Sequence, residues 1–310
     1  MQKGRILNLC GGVYKVLLED GSIISVKARG KLRYEKKYMV NEKSLSKKEV
    51  LTTVKNTPKV GDVGVIENGM IDHYLERKNE MVRPDIANVD QILLVFAAKE
   101  PDFSFYLLDL FLVNILKQNI TPVIVISKID KLNDNEFFEL KSKLSYYENM
   151  GYKVLYVDSK HNKGIDDVRE VLRGKITVLS GQTGAGKSTL INAVVPGFSL
   201  KTQEISQALG RGKHTTRETS LYPYLGGFIG DTPGFSKLDV LGISKDELAS
   251  LFIDFNGYTC KFRDCNHTEG IKGCGIHLAV DSNKILRSRY ESYNKMYKEI
   301  LKKWKYLYQY

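Results

Sequence analysis

Over the first 70 residues apolar and polar positions alternate in short bursts: "KGRILNLCG", "VYKVLLEDGSIISVKARG" and "VGDVGVIENGMIDHYL". A period of two, broken by "EDG" and "ENG" turns, predicts a small antiparallel β unit. About five short strands with Gly-rich turns fit an OB-fold, and an SH3-like barrel would give the same pattern. The polar stretch "LERKNEMVRPD" then reads as a linker. From about residue 88 the rhythm changes. Apolar runs at 91–97, 122–127, 153–157 and 175–180 alternate with helical stretches around 104–117, 135–150 and 166–173. That alternation predicts βαβ units and a parallel sheet covered by helices. "GGFIGDTPGF" closes a further strand at Asp231, and after about 243 no strand pattern returns. The division expected is a β unit over 1–72, a linker over 73–87, an α/β domain over 88–242 and a helical domain over 243–310.

Composition narrows the class. The longest apolar runs, "ILLVFAA" and "PVIVIS", fall far short of the roughly 20 residues of a membrane span. The N-terminus carries neither the apolar core nor the cleavage site of a signal peptide. The expectation is a cytoplasmic protein with no membrane partner. The net charge of +11 sits at the two ends: residues 1–80 hold sixteen Lys/Arg against ten Asp/Glu, and residues 281–310 hold eight against three. A neutral centre between basic ends suggests that the ends meet a polyanion, with ordinary solvated lysines as the plainer reading. The four cysteines are Cys10 and a cluster of Cys260, Cys265 and Cys274. In a chain of this length that is no disulfide framework, and it points to a reducing compartment with a metal site.

"GQTGAGKS", Gly181 to Ser188, matches the phosphate-loop pattern G-x-x-x-x-G-K-[ST]. Backbone N–H groups must wrap phosphates closely, which side chains at Gly181, Gly184 or Gly186 would obstruct. Gln182, Thr183, Ala185 and Thr189 complete the cradle. Lys187 places a point charge near the β- and γ-phosphates, and the Ser188 hydroxyl suits Mg²⁺. "DTPG" follows a strand downstream, so Asp231 would hold Mg²⁺ through its water shell and the Gly234 N–H would sense the γ-phosphate. Between them "GRGKHTTRE" offers Thr215 or Thr216 to complete the Mg²⁺ shell, in a loop that a γ-phosphate could order. Lys187, Thr216 and His214 are the candidate catalytic residues.

"VIVISKID", residues 123–130, ends a strand with a carboxylate that can accept both donors of the guanine edge, a pair adenine lacks. Asp130 is therefore the candidate base reader, with the Lys128 stem over the ring. The loop at Ser159 could reach the base oxygen through a backbone N–H. A P-loop ATPase is the rival reading, and Asp130 argues against it. These parts run base, base, phosphate, switch and Mg²⁺ carboxylate, a rotated order that packing permits when chain ends move to another surface loop.

Rotated order marks the circularly permuted GTPases, and within them the chain resembles the RsgA family (YjeQ or YloQ), small-ribosomal-subunit biogenesis GTPases. "NEMVRPDIANVDQ", "GQTGAGKSTLIN", "GRGKHTTRE", "DTPGF" and the terminal Cys/His cluster carry the resemblance across the whole chain. It implies an α/β P-loop GTPase domain with a mostly parallel, permuted sheet, an N-terminal OB-fold and a C-terminal zinc-bearing helical domain. It also implies GTP hydrolysis stimulated by the small (30S) subunit, late in its maturation, with rRNA contacts by a monomer. An assembly factor that holds GTP as a ligand with negligible turnover is the alternative.

The resemblance carries departures. Ser127 stands where GTPases generally have Asn, so its contacts to the base and to the phosphate loop should be weaker. Gln182 and Ala185 replace small residues without expected consequence. Phe235 occupies the place of the water-orienting glutamine, which predicts slow intrinsic hydrolysis. His214 is the local substitute, or simply a switch residue. "CKFRDCNHTEGIKGC" spaces Cys260, Cys265, His267 and Cys274 as C-x4-C-x-H-x6-C, a set suited to one four-coordinate structural zinc. His277 is an alternative fourth ligand, but the family pattern favours His267. Tyr34, Tyr38, Tyr290, Tyr293, Tyr297 and Trp304, interleaved with the basic ends, could stack on RNA, although their helical spacing in the tail favours packing.

Overall fold

A computed structural model describes residues 1–40, 49–55, 57–81, 84–198, 219–231, 240 and 242–307, with side chains outside 33–40, 49–55 and 303–307. The switch residues His214, Thr215 and Thr216, and also Gly234 and Phe235, lie outside the described residues.

The alternating N-terminal bursts form β1 (Gln2–Cys10), β2 (Val13–Leu18), β3 (Ile23–Ala28), β6 (Val63–Glu67) and β7 (Met70–Tyr74). Their order is β1-β2-β3-β7-β6, and β6 pairs back onto β1, so the sheet closes into a five-stranded barrel. All pairings are antiparallel except β3 with β7. That closed five-stranded arrangement is an OB-type barrel rather than an unspecified β unit. A hairpin the sequence pattern did not announce, β4 (Tyr34–Val40) with β5 (Glu49–Lys55), is inserted between β3 and β6. The stretch 73–87, expected to be a linker, begins within β7 and is pinned by side-chain hydrogen bonds. Arg77 forks onto the buried Asp62 carboxylate at 2.8 and 2.9 Å. Asn79 exchanges hydrogen bonds with the Val89 backbone in both directions, across the short ribbon of β8 (Glu80–Met81) and β9 (Ile86–Ala87).

The second half is a doubly covered sheet. Strands β10 (Gln91–Ala97), β11 (Thr121–Ser127), β12 (Lys153–Tyr156), β13 (Ile176–Gly181) and β15 (Gly227–Asp231) run parallel, with β14 (Ser220–Tyr224) antiparallel at β15. In space the order is β12-β11-β10-β13-β15-β14. Along β10, Ile92, Leu94 and Phe96 enter one core with helices α1 (Phe105–Leu116) and α2 (Asp134–Asn149). Leu93, Val95 and Ala97 enter the other with α3 (Ile165–Leu172) and α4 (Lys187–Val194). Burial on both faces explains why these strands read as unbroken apolar runs. Because β10 has β11 on one side and β13 on the other, the sheet changes direction of growth there, and such a switch point opens a crevice at the carboxyl edge.

Barrel and sheet are one body. A bulge in β1 between Ile6 and Asn8 leaves Ile6 in the barrel core and sends Leu7 into the α/β core. Asn8 then pairs with Ser220 of β14 and bonds its hydroxyl at 2.6 Å, joining eleven strands in sequence. Beyond α5 (Lys245–Leu248), the C-terminal part holds α6 (Gly275–Asp281) and the long α7 (Arg287–Leu307). Tyr290, Tyr293, Met296, Tyr297 and Ile300, spaced for one helix face, pack with Leu110 and Val113 of α1. Those tyrosines are packing residues. No helix among the described residues is long and apolar enough to cross a membrane.

Candidate nucleotide site and metal centre

The phosphate loop joins β13 to α4 at the switch point. Gly181 has φ of +124°, and a Cβ there would lie 2.0 Å from the Val95 carbonyl oxygen, so only glycine fits. Gly184 and Gly186 also take positive φ and turn the backbone toward the start of α4. Lys187 follows immediately. Its ammonium donates to the Gly181 and Gln182 carbonyls at 2.9 and 2.7 Å, and burial pulls its pKa below the ordinary lysine value. Lys187, Ser188 and Asp231 line one cleft of about 160 Å³, floored by Ile191, Phe198 and Ile229. An exposed hydroxyl and an exposed strand-end carboxylate beside a lysine are the hard oxygen donors that Mg²⁺ takes. Thr183 and Thr189 are exposed on the same loop and helix start, and Ala185 is buried beneath it.

The end of β11 meets this loop directly. Ser127 is buried, and its hydroxyl contacts both the Phe96 and the Ala185 carbonyl oxygens. A serine expected to hold the phosphate loop weakly thus does touch its backbone. The shorter side chain reaches the loop backbone because strand and loop approach closely. Lys128, in left-handed conformation, donates to the Gly184 carbonyl at 2.8 Å and to the Glu100 carbonyl. Asp130 lies in the short 3-10 turn Ile129–Lys131, exposed as a residue but with its side chain partly shielded, and the Lys160 ammonium is 3.7 Å away. Ser159 is half-buried in the loop after β12.

One organiser of that loop escaped the sequence reading. Asp158 is buried and accepts the backbone N–H groups of Lys160 and His161 at 3.0 and 3.3 Å and contacts the His161 ring at 2.5 Å. Although burial raises its pKa, these hydrogen bonds outweigh it and hold the carboxyl below the ordinary range. The signal was local: an Asp at a strand end bonding its own chain two residues on is an Asx-turn. The Gln182 side chain, a departure expected to be without consequence, donates its amide to the Asp102 carbonyl at 2.9 Å.

The ligand atoms of Cys260, Cys265, His267 and Cys274 all lie within 4.8 Å of one another. The sulfurs of Cys260 and Cys274 are 3.8 Å apart, and each lies 3.4 or 3.6 Å from His267 Nδ1. A zinc tetrahedron with Zn–S of about 2.3 Å and Zn–N of about 2.1 Å has edges of about 3.8 Å and about 3.6 Å. The set fits one structural zinc. The Gly275 N–H donates to Cys260 Sγ at 3.2 Å. His277 stands outside the set, meeting Tyr290 Oη at 2.7 Å and the His267 carbonyl at 3.3 Å, so it props the ligand loop. Replacing His267 by Ala should lower bound zinc from one equivalent toward none, whereas His277→Ala should retain it. Elemental analysis of both purified variants checks this, and zinc loss on His277→Ala alone would reverse the assignment.

The sheet order, the phosphate loop at its switch point and the base-side strand end bonded to that loop define a circularly permuted P-loop GTPase. Comparison with known proteins agrees. The RsgA GTPase family model matches residues 74–241. A "Small ribosomal subunit biogenesis GTPase RsgA" of Onion yellows phytoplasma is 41% identical, over 99% of this chain and 100% of that protein. The protein of the same name from Halalkalibacterium halodurans is 40% identical, over 97% of each. The crystal structure of YjeQ from Thermotoga maritima superposes with a TM-score of 0.79 at 32% identity, covering 97% of this chain and 98% of that one. That of YloQ, described as a circularly permuted GTPase, gives 0.77 at 32% identity, covering 98% and 96%. This chain belongs to the RsgA GTPase family.

Proposed function

We propose that this GTPase works on the small ribosomal subunit, late in its maturation, and that the subunit stimulates its hydrolysis of GTP. The observation that carries the site assignment is the bonding of Ser127 and Lys128 to the Ala185 and Gly184 carbonyls, which joins the base side and the phosphate side into one seat. In that seat Asp130 reads the guanine edge, with the Ser159 loop beside it. The amides of Gly181 to Ser188, together with Lys187 and Thr189, hold the phosphates. Ser188, Asp231 and one of Thr215 and Thr216 face Mg²⁺, which when bound neutralises phosphate charge. The Gly234 N–H, following Asp231, senses the γ-phosphate. His214 is proposed to help position the attacking water.

Contact with rRNA is proposed for the two basic ends and for the zinc loop. There Phe262 is half exposed, its ring 5.7 Å from the Lys261 ammonium, with Arg263 and Lys272 also exposed. An exposed ring among cations suits unpaired RNA bases and their phosphates. We propose a cytoplasmic monomer.

GTP and ATP hydrolysis by the pure protein, alone and with purified small or large subunits, tests the proposal. A slow GTP-specific rate that rises with small subunits only is expected. No stimulation by either subunit would sink the ribosomal assignment while leaving the nucleotide site standing.

A further inference from the structure

Residues 98–104 leave the end of β10, pass along the outer side of the phosphate loop and reach Ser104, whose hydroxyl accepts the Leu107 N–H at the start of α1. On the way the Glu100 carbonyl accepts Lys128 Nζ, and Pro101 Cδ lies 3.5 Å from the place of a Cβ on Gly184. The Asp102 carbonyl accepts the Gln182 side-chain amide. Gln182 is thereby tied at three points. Its N–H donates to the Val95 carbonyl at 3.1 Å, its own carbonyl accepts Lys187 Nζ at 2.7 Å, and its side chain donates to Asp102 at 2.9 Å. The carbonyl on which the Lys187 ammonium rests thus belongs to a residue fixed from both sides.

The support under Asp102 is itself held. Phe103 packs against Phe96 and Phe105, with ring centroids 5.5 and 4.8 Å apart. Helix α1, which follows, is fastened to α7 by the Tyr106–Glu299 hydrogen bond of 2.9 Å and the Asp109–Arg289 pair of 2.7 Å.

We infer that Gln182 is a positioning residue of this GTPase: its side-chain amide, held by the Asp102 carbonyl, fixes the peptide from which Lys187 is aimed at the phosphates. A loop set before the nucleotide arrives loses less freedom on binding and holds the lysine where charge develops during phosphoryl transfer. The inference rests on the nucleotide seat proposed above. Binding of N-methylanthraniloyl-GDP by the unaltered protein is therefore measured first, and its failure would count against that seat instead.

The test compares Gln182→Met, which keeps the length but has no donor, with Gln182→Ala, each in the full zinc-loaded chain. Losing one neutral hydrogen bond should speed release of the labelled GDP roughly three- to tenfold in both variants. The kcat for GTP should fall by a similar factor, with a smaller change in KM, since the aimed lysine acts mainly on the transition state. A Gln182→Met protein indistinguishable from the unaltered one would show that bulk, not the bond, matters and would overturn the inference. An unchanged kcat in both variants would overturn it as well, because Lys187 would then be aimed without Gln182.

Discussion

An Asp130→Asn protein is expected to bind xanthosine triphosphate in preference to GTP, the largest change any single substitution here should cause. A carboxylate accepts both the N1–H and the N2 amino group of guanine. An asparagine amide offers one acceptor and one donor, which instead matches the carbonyl that xanthine carries at that position. Sites built around one hydrogen-bonding edge reject the mismatched analogue by about 10⁴-fold or more. The Asp130 side chain is partly shielded in the Ile129–Lys131 turn, which favours a large effect. Lys160, 3.7 Å from the carboxylate, would lose its charged partner in the variant. Competition between the two nucleotides for the labelled-GDP site measures the switch. A variant that still prefers GTP would remove Asp130 from the base-reading role.

Arg289→Ala is expected to destabilise the C-terminal part by about 3–5 kcal/mol, the cost of leaving buried carboxylates without their cation. Arg289 has no exposed surface. Its guanidinium bonds Asp109 of α1 at 2.7 Å and Asp254 at 2.8 Å, and it lies 4.4 Å from the Phe252 ring centroid. Tyr147 and Tyr146 donate to the same two carboxylates at 2.8 and 2.9 Å. The cluster therefore ties α7, α1, α2 and the turn before the zinc loop into a single knot. Arg289→Lys keeps the charge but loses the planar fork, so a smaller loss is expected. Urea unfolding followed by fluorescence of Trp304, the single tryptophan, on α7, reads both. A loss below about 1 kcal/mol for the alanine variant would mean the knot contributes little to holding the domains together.

Much of this was legible in the chain. The runs at 91–97, 122–127, 153–157 and 175–180 became β10, β11, β12 and β13 within a residue or so, because strands buried on both faces must be apolar throughout. The glycines of "GQTGAGKS" and the spacing of Cys260, Cys265, His267 and Cys274 are local requirements of backbone conformation and ligand reach, so the sequence carried them directly. The hairpin of β4 and β5 left no comparable mark, and the place of β14 between β15 and β1 depends on pairing with Asn8, far away along the chain.

What the sequence by itself determined is thus the alternating strands and helices of the α/β sheet, the loop that cradles phosphate and the donors that can hold zinc, each a property of residues a few positions apart. The tertiary structure decided the rest. It sent Leu7 and Ile6, neighbours in one strand, into different cores through a bulge. It placed His277 behind the ligand loop rather than in the metal set, and turned Ser127 onto the Ala185 carbonyl. It also made an arginine of a basic tail the most buried cation of an interdomain knot. Those outcomes depend on which surfaces meet across long stretches of chain, and no local periodicity encodes a meeting of that kind.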